Sequence, residues 1–394
     1  MTVQAFETLI GPHESFDWPA MWPKVKTLHW ITPRDHLQFL EHFLTLDVHD
    51  LKIQLEGAED EEVQEVLDLV ESRCMNLEDL RLSDSETRDN EDIQDTIRKI
   101  IYNNSLTLRL FYPPQDPSAP LVTDILRLPV LQVLEMHIPQ IPESPPWGIL
   151  PSLEYLTFTL DEAIDILDLF GTLRKSKVKR FTLICPYPTS EDDQEAVADF
   201  FYDTGLHSSA EAFSWESPLP GETPTWGFIA TLDCFVNMRA LSLEFPCRTA
   251  CHFSFRHADI IELSLWMPRL RELNFGGSPC AHSGMVTDIG YHTLAVLAKN
   301  CPNLFLLTIH FNIRSFVFRD FVEPNWNVTM WDVGDIAPPS DPQILTMFAL
   351  AVSSLFPKVN FVGASDRHVA KWNEVHEELR MLTLPADHGF LDLM

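Results

Sequence analysis

An apolar spacing of the form L-x-x-L-x-L recurs along most of the chain, and few folds can accommodate it. Its best copy lies in Thr287–Phe311, TDIGYHTLAVLAKNCPNLFLLTIHF, which reads as an amphipathic helix, a Cys-Pro turn and a short strand anchored by Leu304, Leu307 and Ile309. Further anchor sets are Val25/Leu28/Trp30, Val48/Leu51/Ile53, Leu77/Leu80/Leu82, Leu131/Leu134/Met136, Leu153/Leu156/Phe158 and Val178/Phe181/Leu183. Met238/Leu241/Leu243, Leu270/Leu273/Phe275 and Val359/Val362/Ala364 continue the series, with weaker units around Leu106–Leu110 and at Ala210/Phe213/Trp215. First anchors are mostly separated by about 22 to 34 residues, the range of a leucine-rich repeat with irregular outer segments.

Segments of helical period lie between the strands: Asp35–Leu46, Glu62–Arg73, Asp92–Ile101, Asp161–Leu173, Ser190–Tyr202, Asp288–Lys299 and Pro342–Leu355. Several open on Asp or Ser, which suits an N-cap. Proline precedes strands at Pro151, Pro268, Pro302 and Pro357, where it ends a helix without interrupting a ladder. A long crossover between successive strands makes them parallel. The expected fold is therefore an α/β leucine-rich-repeat solenoid, a horseshoe with a parallel concave sheet, outer helices and irregular repeats. A doubly wound sheet is disfavoured, because the strands are short and lack continuous Val/Ile runs. The array is expected over 1–311, with an aromatic and proline-rich insertion at 312–341 and a C-terminal repeat and helical cap at 342–394, including a helix at Asp366–Leu382.

Composition limits the partners. The 394 residues include 28 basic and 58 acidic ones, a formal charge of −30 that opposes nucleic acid and anionic membranes. Three acidic runs, Glu59–Glu62, Asp84–Asp95 and Glu191–Asp193, read as helix starts favoured by the macrodipole. The N-terminal stretch has no signal-peptide pattern, and the longest nearly apolar run, Leu345–Phe356, is too short to span a bilayer. Seven cysteines without framework spacing suit a reducing compartment, so a cytoplasmic or nuclear protein is expected and the sequons at Asn103 and Asn327 are expected to be unused.

The segment DIGYHTLAVLAKNCPNLFLLTI resembles the cysteine-containing leucine-rich repeat of F-box proteins, through Leu294, Ala295, Leu297, Ala298, Cys301, Pro302, Leu304, Leu307 and Ile309. Cys74–Leu77 is a partial second match. WDVGD at Trp331–Asp335, Phe356–Val359 and Lys371-Trp372 resemble the C-terminal region of F-box-like proteins of the fungal (mushroom) type. The resemblance implies substrate recognition for an F-box-type ubiquitin ligase. No F-box pattern is read between Met1 and Trp30, so a Skp-type adaptor is expected only if an F-box exists upstream.

Catalytic templates fail. The string His376-Glu377-Glu378-Leu379-Arg380 lacks the second histidine of a zinc protease motif, and no nucleophile elbow, phosphate loop or dinucleotide fingerprint occurs. Cys247, Cys251, His252 and His257, with Cys280 and His282, form the best metal candidate, but the spacing is irregular and packing is the preferred reading. No cofactor or metal is expected, and no enzymatic activity. Cys301 is expected to be buried at its turn.

The strand register sorts outward from inward positions. Glu135, His137, Tyr155, Thr157, Arg180, Glu216, Glu244, Glu272, Asn274, Thr308 and His310 are expected on the concave face. The acidic bias of that set points to a protein or peptide ligand of basic character.

Overall fold

In a computed structural model, residues 25–30, 40–41, 43–55, 57–83, 90–113, 116–138, 150–169, 173, 176–187, 189–219, 224–245, 255–276, 288–309, 311, 324–332, 338–359, 361–363, 370–375 and 377 are described. The chain divides into two compact units: Met1–Leu160 with Asp168–Val178, and Asp161–Leu167 with Lys179–Met394.

Among the described residues the first unit holds six strands in sequential, parallel order: β1 (Thr27–Trp30), β2 (Asp50–Gln54), β3 (Asp79–Ser83), β4 (Leu110–Tyr112), β5 (Val133–Ile138) and β6 (Tyr155–Leu160). Its helices are α1 (Asp60–Arg73), α2 (Glu91–Asn103) and α3 (Ala119–Ile125). The second unit holds β7 (Arg180–Ile184), β8 (Ala212–Glu216), β9 (Ala240–Glu244), β10 (Glu272–Asn274), β11 (Leu306–Thr308), β12 (Met330–Asp332) and β13 (Phe361–Gly363), again sequential and parallel. Its helices include α4 (Glu191–Thr204), α5 (Trp226–Thr231), α6 (His257–Trp266), α7 (Tyr291–Asn300) and α8 (Pro342–Leu355).

Strands β2 and β9 show the pattern, burying alternate residues and leaving the others partly open. One face of the strands in each unit therefore carries the core and the other faces solvent, unlike a doubly wound sheet covered on both sides. The fold is the α/β solenoid of repeats expected from the anchor spacing. One carbonyl per turn knits neighbouring repeats together by accepting two consecutive N–H groups: His49 and Asp50 donate to Lys26, Glu78 and Asp79 to His49, and Arg271 and Glu272 to Arg239.

The acidic runs start helices, where their charge meets the positive dipole end. Glu59 and Glu62 form a capping box on α1, the Asn90 side chain accepts from the Asp92 and Ile93 N–H groups, and Ser190 and Asp193 cap α4. Helix α4 ends on Gly205 at φ 72°, the left-handed stop that glycine adopts without strain. Buried glutamines link successive repeats by the same device in both units: Gln94 accepts from the Ser118 N–H at 3.2 Å and Gln194 from the Thr225 N–H at 2.8 Å.

Six elements differ from the sequence reading. The weak unit at Leu106–Leu110 has its strand at Leu110–Tyr112 with Leu108 and Phe111 as buried anchors, while Leu106 is exposed. Within Asp161–Leu173, Ala163–Leu169 forms a 3₁₀ helix where an α-helix was expected. The segment 312–341 contains β12, whose Trp331 is buried against Phe311, Phe348 and Phe356. The short helices α3, α5 and α6 were not anticipated. Of the Asp35–Leu46 helix only part is described, and of the terminal helix 370–375 and 377 are helical.

Candidate binding face

The register places the described members of the expected set on the solvent side of their strands, but divides them between the units. Glu135, His137, Tyr155 and Thr157 belong to the first, on the paired strands β5 and β6. Arg180, Glu216, Glu244, Glu272, Asn274 and Thr308 belong to the second. His310 lies outside the described residues.

On the first unit, charges neutralise one another. Arg81 on β3 donates to both carboxylate oxygens of Asp79, at 3.0 Å from Nε to Oδ1 and 2.8 Å from Nη2 to Oδ2. Its guanidinium also lies 4.6 Å from the centre of the Tyr112 ring, a cation–π contact. The Asp79 hydrogen bond raises the Arg81 pKa further above its ordinary value, and burial raises that of Tyr112. Thr27 donates to Asp50 at 2.9 Å, and His137 is bonded through Nδ1 to Asp116. Asp116 stands at φ 58°, unusual for a residue other than glycine. Tyr112 escaped the sequence reading because its strand was misplaced, although Leu108-x-x-Phe111 carries the anchor spacing.

On the second unit, Glu216 and Glu244 face each other in register across β8 and β9. Adjacent strands are about 4.8 Å apart, so two like charges are held side by side. Ser214 donates to Glu216 Oε1 at 3.0 Å and Ser242 to Glu244 Oε1 at 2.9 Å. Asn274 on β10 donates to the same Glu244 oxygen at 2.7 Å and to the Ser242 hydroxyl at 3.0 Å. Ala212, Ala240, Ser214 and Ser242 make the adjoining positions small. Beyond Asn274, a Cβ on Gly276 would come within 2.8 Å of Thr308 Cγ2, so glycine permits that approach. The result is a low floor beside two oriented carboxylates. Ser214 is not in the expected set, because the register alone does not show that its hydroxyl holds Glu216.

Among the described residues no group of three or more His, Cys, Asp or Glu side chains could hold a metal ion. Of the metal candidate, Cys247, Cys251, His252, Cys280 and His282 lie outside the described residues. His257 Nδ1 is 2.7 Å from the Thr293 hydroxyl. Among the described residues no helix is long and apolar enough to cross a membrane.

Cys301 is buried, with its sulfur facing the Ser264 and Met267 carbonyls at 3.8 and 3.5 Å. Burial pushes its thiol, and those of Cys74 and Cys185, up to about 12. A thiol is charged only when deprotonated, so these groups stay protonated and unreactive in the native protein. Peptide-level mapping with iodoacetamide at about pH 8 should leave the three unmodified until urea unfolds the chain. Stability should also fall as pH rises from about 9 towards 12, because the unfolded state then sheds thiol protons that the folded state retains. Modification of Cys301 as fast as a free thiol would contradict its buried position.

In comparisons with known proteins, no family model matches this chain and no curated protein matches it in sequence.

Proposed function

We propose that the chain is a non-enzymatic recognition module that holds a basic protein or peptide segment against the open sheet face of its second unit. The observation that carries this reading is the Glu216/Glu244 pair, fixed by Ser214, Ser242 and Asn274. Two carboxylates at strand spacing repel, and a ligand ammonium or guanidinium between them relieves that repulsion while gaining charge-assisted hydrogen bonds. The side chains are already oriented, which lowers the ordering cost of binding. The resemblance to F-box proteins extends the reading to substrate recognition for a ubiquitin ligase, with a Skp-type adaptor engaged only if an F-box exists upstream.

A fluorescein-labelled peptide of about ten residues, rich in Arg and Lys, is expected to bind the full chain in an anisotropy assay. The Glu216→Lys/Glu244→Lys variant should weaken that binding by on the order of tenfold to a hundredfold. Both positions are only partly buried, so melting should move little. Equal affinity of wild type and variant would sink the proposal. Pull-down with a Skp-type adaptor tests the ligase extension separately, and no capture would leave a free-standing scaffold or inhibitor.

A further inference from the structure

The chain is strongly acidic, yet three exposed arginines gather at one rim of the second unit, where helix turns into strand. Arg239 and Arg271 each stand one residue before a strand, β9 and β10, whose first residues Ala240 and Glu272 are paired. The Arg271 N–H donates to the Arg239 carbonyl at 2.6 Å, so the two side chains leave the backbone about one strand spacing, ~4.8 Å, apart. Arg269 lies beside them, and its Nη1 donates to Asn237 Oδ1 at 2.8 Å. Glu211 pairs with Arg239 at 3.0 Å. Among the described residues no carboxylate forms an ion pair with Arg269 or Arg271.

An apolar ridge runs along the same rim. Val236, Pro268, Pro302 and Trp326 occupy one position in four successive turns, two residues before the buried anchors Met238, Leu270, Leu304 and Val328. Val236 is 59% and Trp326 54% exposed. The ridge is held firmly. Asn325 donates to the Ala298 and Cys301 carbonyls at 3.1 and 3.0 Å, and Asn327 to the Pro302 carbonyl at 2.7 Å.

Unpaired cations beside a fixed apolar ridge match an extended segment that carries carboxylates next to apolar side chains. We propose that this rim docks an acidic peptide segment of a partner protein, with its carboxylates on Arg269 and Arg271 and an apolar side chain on Pro302 and Trp326. A polynucleotide is disfavoured, because its dense phosphate charge meets a chain of formal charge −30. A short acidic segment feels mainly the local cations, since physiological salt screens charges beyond about 8 Å. The rim is separate from the Glu216/Glu244 face and takes a ligand of opposite sign, so the two sites fail or stand independently.

The test uses the full chain and a fluorescein-labelled peptide of about ten residues that alternates Glu with Leu and includes one Phe, read by anisotropy against the same peptide with Gln for Glu. The acidic peptide should bind and the Gln peptide should not. Arg269→Glu/Arg271→Glu should weaken binding by at least about tenfold, and Trp326→Ala by roughly threefold. Glu211→Gln should tighten it by about twofold or more, because Arg239 is then released. No binding at about millimolar protein, or affinity unmoved by the arginine reversals, would overturn the proposal. So would a single-stranded oligonucleotide that binds more tightly than the peptide and depends on the same arginines.

Discussion

Replacing Phe201 by alanine is expected to lower the stability of the second unit by about 3–5 kcal/mol, the cost of emptying an aromatic site in a packed core. Phe201 projects from α4 and is 2% exposed. Its ring meets Phe213 of β8 edge-on at 4.8 Å and Phe235 at 4.9 Å, with Phe181 of β7 at 5.8 Å. One side chain thus ties a helix to two successive strands and to the following turn. A shell of rigid rings cannot collapse into the void, which places the expected loss at the high end for a core truncation. The neighbouring Tyr202→Ala removes a half-exposed ring and should cost under about 1 kcal/mol. Urea midpoints of the two variants followed by near-ultraviolet circular dichroism provide the check. Similar midpoints would mean that α4 does not pack as described.

The second large effect concerns a buried amide. Asn104, 1% exposed, accepts from the Leu77 N–H at 2.8 Å and donates to the Cys74 and Ile100 carbonyls at 3.0 and 2.9 Å. It stitches the end of α2 to the turn of the preceding repeat. Asn104→Ala leaves backbone groups buried without partners, each costing about 1–3 kcal/mol, so a loss of roughly 2–4 kcal/mol is expected. The exposed Asn76, whose side-chain amide lies 3.5 Å from the Leu46 carbonyl, serves as the comparison and should cost under about 0.5 kcal/mol when truncated. Hydrogen exchange of the Leu77 amide gives a local reading: rapid exchange in the variant alone is expected, and protection in both would deny the role of Asn104.

The repeat was legible because burial on one face forces a fixed spacing. Wherever leucine, valine or isoleucine filled the anchors, as in β2, β3 and β9, the sequence register and the structural register agree. Legibility failed where side-chain type misled. Leu106 and Leu110 carry the leucine pattern although Phe111 is the inward residue, and the anchors Val328 and Trp331 of β12 sit in a proline-rich stretch without a helical period. The short α3 offers too few residues for a periodic signal. On the binding face, outward positions followed from the two-residue side-chain period, so Glu216, Glu244 and Asn274 could be named in advance. Their hydrogen-bond lattice could not, because Asn274 reaches Glu244 across 30 residues of chain. The pairing of His137 with Asp116 was equally out of reach, since it depends on where a loop residue of positive φ returns to the sheet.

Recognition at the open face of the second unit is tested most directly by paired capture. Wild-type chain and the Glu216→Lys/Glu244→Lys variant are presented to the same extract, and bound proteins are compared quantitatively by mass spectrometry. Partners held through basic segments should drop by on the order of tenfold on the variant, and a peptide cut from such a segment should compete them off the wild type. An identical set of partners at identical amounts on both proteins would show that the Glu216/Glu244 face is not where this chain binds.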